Sequence, residues 1–516
     1  MRIGIISVYV DADRRGRPHR GILQPQIGAL IAALLPPNAE VEVINDAWRD
    51  PDWSRVYDLL FISCLHSDFD RARMISHYWR RRGAKTVFGG PMAGMYPELC
   101  RPFFDSVVVG DPESTVPAVV RDFSSRNLRP FYVASRYDPD LVPVPRFDLV
   151  ADQQPVPLLL EATRGCPFAC EFCALTGLGT RHHVRPVAAV LRDIREGQRM
   201  LRDQTPWYMR RFVGFVDNNI GGNLGYLNAL CEAIAPLGVL WGSAITFNAV
   251  ADPEIVKAMS RSGCRFVFVG LETFNPAAIS DMKKQQNVIG QIRGVIDNCR
   301  NHGITLQSGM MLSPTVDDWK YISSVSGLLR DCGLHLPTFL CFESPFPGTP
   351  YFHRLASEGA SSFLPNALLR DFSGYTLVVR PKRESPDRFV QGYRWLLEDV
   401  YSRRARVGLL MDNVAGFLPH GWFVPILGTV ADYSKHLRPA PERTFMAGTD
   451  TPPPEAASVP FLPEDFDSEE ERDLVTRPWR VTDEQGDVLA CWRRSVKVFE
   501  PRGRISAAAL QLTSTA

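Results

Sequence analysis

Two successive trains of short apolar runs, each followed by an amphipathic stretch, constrain this chain more than any other feature. In the first train "IGIISV" from Ile3, "VEVIND" from Val41, "LLFIS" from Leu59, "KTVFGG" from Lys85 and "SVVVG" from Ser106 read as buried strands, and "QIGALIAALL" and "FDRARMISHYWRR" as helices between them. Apolar strands alternating with helices make a parallel, doubly wound α/β sheet. The spacing predicts a five-stranded Rossmann-like unit ending near residue 125. "YDPDLVPVPRFDL" from Tyr137 is too rich in proline for any element and marks a linker.

The second train starts near residue 155 with "PLLLEATRG" and continues through "RFVGFVDNN", "VLWGSAITF", "RFVFVGLET", "GITLQSGMML" and "PTFLCFES". Six strand–helix repeats predict a partial (β/α)6 barrel, with its chemistry at the C-terminal ends of the strands. Asp252 and Pro253 read as the cap and first position of one barrel helix, and Ser385 and Pro386 as the start of a helix beyond the barrel. The expected division is residues 1–136, a linker at 137–154, a barrel at 155–380 and a mainly helical or irregular extension at 381–516.

Composition narrows the function classes. A net charge of +1 gives no electrostatic reason to expect nucleic acid as a partner. No run of about 18 apolar residues reads as a membrane span. "GFLPHGWFVPILGTV" from Gly416 is broken by prolines and a histidine, and reads as a connection packed on the body. "MRIGIISVYV" reads as a first strand and not as a signal peptide. "RRRG" from Arg80 and "EDFDSEEERD" from Glu464 read as solvated charge runs, and "TDTPPPEAASVP" from Thr449 as a flexible linker. Eleven cysteines, eight of them scattered singly in apolar contexts, predict reduced thiols and a cytoplasmic location.

The remaining three stand together in "RGCPFACEFC": Cys166, Cys170 and Cys173, spaced C-x3-C-x2-C. A structural zinc site asks for four ligands, which His182 or His183 could complete. A redox dithiol would need only C-x-x-C, without Cys166. Three thiolates on a loop after the first barrel strand best suit a 4Fe–4S cube whose fourth iron stays open to a small molecule.

With its aromatic residue before the third cysteine, the motif resembles that of the radical S-adenosylmethionine (SAM) superfamily. The resemblance implies that Cys166, Cys170 and Cys173 hold the cluster, that SAM binds the open iron, and that its reductive cleavage yields a 5′-deoxyadenosyl radical. It also implies SAM contacts at Phe172, at Asp217, Asn218 and Asn219 of "FVDNN", and at Glu272 of "VFVGLET". "SGMMLSPTVDD" and "ESPFPGTPYFHRLASEG" are similar to the family's fifth- and sixth-strand segments.

Ahead of the motif, "FGGPMAG" (Phe88–Gly94) and "VVVGDPEST" (Val108–Thr115) are similar to loops of the cobalamin-binding radical SAM subgroup, which includes hopanoid and bacteriochlorophyll side-chain methylases. The resemblance covers roughly residues 1–380. It implies a Rossmann-like cobalamin-binding domain, with corrin contacts at Leu65, His66, Ser67, Gly89, Gly90, Pro91, Gly110 and Glu113. Two departures stand out. The cobalamin-ligand motif D-x-H-x-x-G is absent, with His66 and His19 the nearby histidines, and "GDPE" replaces the subgroup's frequent Gly-Glu-x-Glu.

The activity implied is C-methylation, with the radical taking a substrate hydrogen and methylcobalamin supplying the methyl group. The same scaffold permits radical cyclisation, rearrangement or oxidation, and a binding protein without turnover is the rival from another class. A flavodoxin- or ferredoxin-type electron donor is implied as well. Trp395, Phe417, Trp422 and Phe423 hint at an apolar, polycyclic small-molecule substrate.

Overall fold

A computed structural model describes residues 1–9, 25–334, 337–418, 445–448 and 458–493. Its first sheet contains β1 (Arg2–Ser7), β2 (Glu40–Asn45), β3 (Leu59–Ser63), β4 (Lys85–Gly89), β5 (Ser106–Val109) and β6 (Phe131–Val133). All pairs are parallel, in the order β2-β1-β3-β4-β5-β6. The order reverses between β1 and β3, where open α/β sheets present a crevice at their strand ends. Alternate residues bury on opposite faces. Ile5, Leu59, Phe61 and Val87 pack on one side, and Ile6, Leu60, Ile62 and Phe88 on the other. That two-sided burial is why these segments read as unbroken apolar runs.

The sixth strand is a correction to the five expected. "FYV" is only three residues long and follows Pro130, too little for a periodicity signal, and it pairs at Val107↔Phe131.

The second sheet runs β7 (Leu158–Leu160), β10 (Phe212–Phe215), β11 (Leu240–Ala244), β12 (Cys264–Glu272), β13 (Thr305–Leu312) and β14 (Phe339–Phe342). These six are parallel and neighbour one another in chain order, the wall of a partial barrel. "PLLLEATRG" is not one strand. It breaks after Leu160, and Thr163–Arg164 (β8) pairs antiparallel with His183–Val184 (β9), so the cysteine loop leaves and returns through a narrow neck. Asp252 caps the helix Pro253–Arg261 by accepting from the amides of Glu254 and Ile255, as the sequence predicts. Ser385 likewise caps Pro386–Val400, whose Phe389, Tyr393, Leu396, Leu397 and Val400 are buried.

The linker carries two short 3-10 turns and is packed down through Val142 and Phe147. Beyond the barrel, Thr376–Leu377 (β15) pairs with Phe445–Met446 (β16).

Residues 458–493 return to the first sheet. Trp479 packs on Phe69 and Phe103, Trp492 is buried, and Arg73 donates to the carbonyls of Leu474 and Arg477. Here the two charge runs meet. Arg82 pairs with Asp465 at 2.9 Å and Arg81 with Asp467 at 2.9 Å, so runs that each look solvated are partners across more than 380 positions. Periodicity within either run cannot reveal that pairing. The "TPPPEAA" linker, most of the Gly416 segment, Trp422, Phe423 and His19 lie outside the described residues. Among the described residues no helix is long and apolar enough to cross a membrane.

Candidate active site

The C-terminal ends of β7, β10, β12 and β13 surround the cysteine loop. Asp217, at the end of β10, is buried and accepts from the backbone amides of Ala162 (3.1 Å) and Thr163. The carboxylate therefore takes over amides that β7 would have offered to a ladder. Burial pushes its pKa up to about 7, against the pull of those donors. Gly165 then turns the chain at φ +80°, and a Cβ there would lie 2.1 Å from the Arg181 carbonyl oxygen. Only glycine fits this approach of the loop's two limbs.

Cys166, Cys170 and Cys173 are free thiols, Cys170 buried and the others half-buried. Asn219 Nδ2 donates to Cys166 Sγ at 3.6 Å, and Gln286 Nε2 to Cys170 Sγ at 3.5 Å. Cys173 occupies the N-cap position of the helix Ala174–Leu178, without a side-chain capping bond. Burial raises the pKa of both the Cys170 and Cys173 thiols, so a bound metal must displace their protons. Among the described residues no three His, Cys, Asp or Glu side chains converge as ligands of a single ion. His182 packs against Gly222, and His183 against the Tyr137 ring. Three reduced thiols on one pinned loop, two of them facing side-chain amides, are a donor set that fits an iron–sulfur cluster with one open iron.

The other side chains expected from the sequence are placed as follows. Asn218 is exposed. Asn219 is fully buried, its Oδ1 accepting from Thr246 N and Oγ1, both at 3.2 Å. Glu272 ends β12 at φ +67°, uncommon for a residue with a side chain, just after a break in register with β13. It is buried in an ion pair with Lys284, whose Nζ stands 5.7 Å from the centre of the Phe172 ring. Phe172, Glu272 and Cys170 are thereby brought together around Lys284 and Gln286. Those two residues lie in "KKQQN", which carries no spacing or composition signal.

Glu171 sits inside the cysteine motif and is buried. Burial would raise its pKa, but Lys283 and Arg354 together hold it below the ordinary value. Near the end of β14, Glu343 is buried with its Oε1 unpartnered, and burial pushes its pKa up to about 8 against a 2.6 Å hydrogen bond from Ser313.

On the first domain, Gly89, Gly90 and Gly110 lie at the strand ends, with Gly90 and Gly110 exposed. Gly90 has φ +103°, and a Cβ there would meet the Cys64 carbonyl at 2.9 Å, so its first role is to let β4 approach the end of β3. Leu65 is 52% exposed, while Ser67 and Pro91 are half-buried. His66 turns away. Its Nε2 donates to the Phe372 carbonyl at 2.9 Å, its ring packs on Phe346, and burial lowers its pKa to about 4. Glu113 is buried and bound to Arg164 of the cysteine motif at 3.0 Å.

The two sets of strand ends therefore face each other. The loop after β3 reaches Phe346 and Phe372, Gly94 beyond β4 lies under Leu178, and Asp111 and Glu113 beyond β5 meet Arg164.

Comparison with known proteins agrees with this arrangement. Residues 160–325 match the Radical SAM superfamily. The chain is 23% identical over 413 residues to bacteriochlorophyllide d C-8(2)-methyltransferase of Chlorobaculum tepidum, covering 74% of this chain and 88% of that one. It is 26% identical over 380 residues to the C-12(1)-methyltransferase of the same organism, covering 72% and 80%. Its fold superimposes with a TM-score of 0.59 on the radical SAM methyltransferase TsrM from Kitasatospora setae, bound to cobalamin and a [4Fe-4S] cluster. That match spans 84% of this chain and 98% of the other at 14% identity. The cysteine loop at residues 166–173 thus belongs to a radical SAM domain, carried on a chain that shares its fold with a cobalamin-bound radical SAM methyltransferase.

Proposed function

We propose that this chain is a cobalamin-dependent radical SAM C-methyltransferase acting on a small molecule. The observation that carries the reading is the opposition of the two strand-end faces, where the loops after β3 and β5 meet the barrel side at Phe372 and at Arg164 of the cysteine motif. When bound, the cluster and SAM supply a 5′-deoxyadenosyl radical and the corrin supplies a transferable methyl group.

The chain's own residues hold and orient these groups. Cys166, Cys170 and Cys173 ligate iron, while Asn219 and Gln286 donate to two of the sulfurs. Asp217 fixes the backbone entering the loop. Glu272 and Lys284 form a polar wall beside Phe172 on the SAM side. On the first domain Leu65, Ser67, Gly89, Gly90, Pro91 and Gly110 form the floor for the corrin, with His66 and Glu113 engaged elsewhere. The engagement of His66 by Phe372 is in keeping with the missing D-x-H-x-x-G motif.

The two methyltransferase relatives are named for a bacteriochlorophyllide, a large macrocycle, which supports an apolar, polycyclic substrate here. A flavodoxin- or ferredoxin-type donor would supply the electrons, and the odd number of cysteines, most of them scattered singly, supports a cytoplasmic setting.

The test is anaerobic purification after growth with iron, sulfide and hydroxocobalamin, followed by absorbance and cofactor analysis. About four irons and one corrin per chain are expected. In Cys170→Ala the iron and SAM cleavage are lost while corrin uptake persists. Iron without corrin overturns the methylcobalamin reading, and normal SAM cleavage by Cys170→Ala overturns the cluster assignment.

A further inference from the structure

The Arg164 side chain ties the stem of the cysteine loop to the loop after β5, and its surroundings are acidic. Its Nη1 donates to Asp111 at 2.9 Å and to Glu113 at 3.2 Å. Its Nη2 donates to Glu113 at 3.0 Å and to Glu161 at 2.6 Å, and its Nε to Glu161 at 3.2 Å. The guanidinium carbon lies 4.6 Å from the centre of the Tyr137 ring, in the linker. Five donor contacts therefore join the loop after β5 to the end of β7, and the ring contact adds the linker. The Arg164 side chain is 12% exposed and that of Glu113 4%, so solvent screens this pair little.

Its place along the chain gives the cluster leverage. Arg164 stands in β8, paired with His183, two positions before Cys166. Asp111 directly follows Gly110 and stands at the N-cap position of the helix Pro112–Ser124, its carboxylate turned to Arg164. A shift of the carboxylates moves Gly110, and a shift of the guanidinium moves Cys166. We propose that Arg164 is a positioning residue that sets the first domain in register with the cysteine loop, and that Glu113 serves this latch instead of the corrin. The proposal rests on the two-cofactor reading above.

A group passed between sites on two domains is sensitive to their offset, since a misplacement of about 1 Å can cost roughly 100-fold in rate. A planar fork bonded to carboxylates on both sides restrains such an offset better than a flexible ammonium, so lysine is no substitute. "GDPE" is then explained by geometry: both acidic side chains of the loop face the same arginine.

Two variants test this, one on each domain: Glu113→Gln, which keeps shape and removes charge, and Arg164→Lys. The first readout is hydrogen exchange in the protein as purified. Amides of residues 106–115 and 163–173 should exchange roughly tenfold faster in both variants. The second is the dipolar coupling between the reduced cluster and cob(II)alamin in the loaded protein. Both variants should retain iron and corrin while the spread of the metal–metal distance grows roughly twofold or more. A purely structural role would leave that distance unchanged once both cofactors are in place. Unchanged exchange together with unchanged coupling overturns the latch. If the wild-type protein takes up no corrin, the methyltransferase reading fails, and exchange at residues 106–115 alone decides the latch.

Discussion

Asn219 holds Cys166 and Thr246 at once: its Nδ2 donates to the sulfur at 3.6 Å, and its Oδ1 accepts from Thr246 N and Oγ1. The second set of bonds fixes which end of the amide faces the thiol. A hydrogen bond to a cluster sulfur favours the more negative, reduced state. Asn219→Ala should therefore make the reduction potential more negative by tens of millivolts, since a difference of about 1 kcal/mol between two charge states moves a one-electron potential by ~40 mV. Spectroscopic redox titration checks it, and a potential that stays put or rises removes Asn219 from the sulfur's environment.

Gly165→Ala should cost the cluster. The added Cβ would sit 2.1 Å from the Arg181 carbonyl, at a φ of +80° that alanine resists. The backbone penalty alone is about 1–2 kcal/mol, and the contact requires the neck of the loop to open. Iron per chain should fall by roughly half or more after anaerobic reconstitution, with the first domain's corrin uptake preserved.

Glu343 makes stability depend on pH in a direction opposite to that of most carboxylates. Its folded pKa is raised to about 8, so the folded state holds a proton that the unfolded chain releases near 4.5. The contribution is fully present below pH 4.5 and is lost as the pH rises through about 8. Glu343→Gln stays neutral throughout. Denaturant unfolding at pH 5, 7 and 9 should show the wild type losing stability relative to the variant across that range. Parallel profiles would mean that Glu343 is ionised inside the protein.

His66→Ala should weaken the contact between the first domain and the barrel without changing the cobalt. The loss of the hydrogen bond to Phe372 and of the ring on Phe346 is expected to cost about 2–4 kcal/mol. The electron paramagnetic resonance spectrum of cob(II)alamin should be the same in both proteins, without hyperfine splitting from a histidine nitrogen. Splitting present in the wild type and absent in the variant would mean that His66 leaves its buried place to bind cobalt.

Where the sequence could be read and where it could not follows from the range of the forces involved. Strands such as Leu59–Ser63 and helices such as Phe69–Arg81 are legible because two-sided burial and the amphipathic repeat act within a few residues. The cysteine spacing is legible for the same reason. The end of the first barrel strand was not, because Asp217 takes its amides from more than fifty positions away. Nor was the pairing of Arg82 with Asp465, or the capture of Glu113 by Arg164, since an ion pair leaves no periodic trace in either segment. Lys284 and Gln286 carry no local signal at all; only the folded barrel brings them to Phe172, Glu272 and Cys170.

The two-residue ribbon of β8 and β9 has one more consequence. It joins Thr163 to Val184 and Arg164 to His183, so backbone pairing closes the segment between them into a ring. The entropy of bringing its ends together is offset by that pairing, so the three thiols sit on a loop already gathered at its stem.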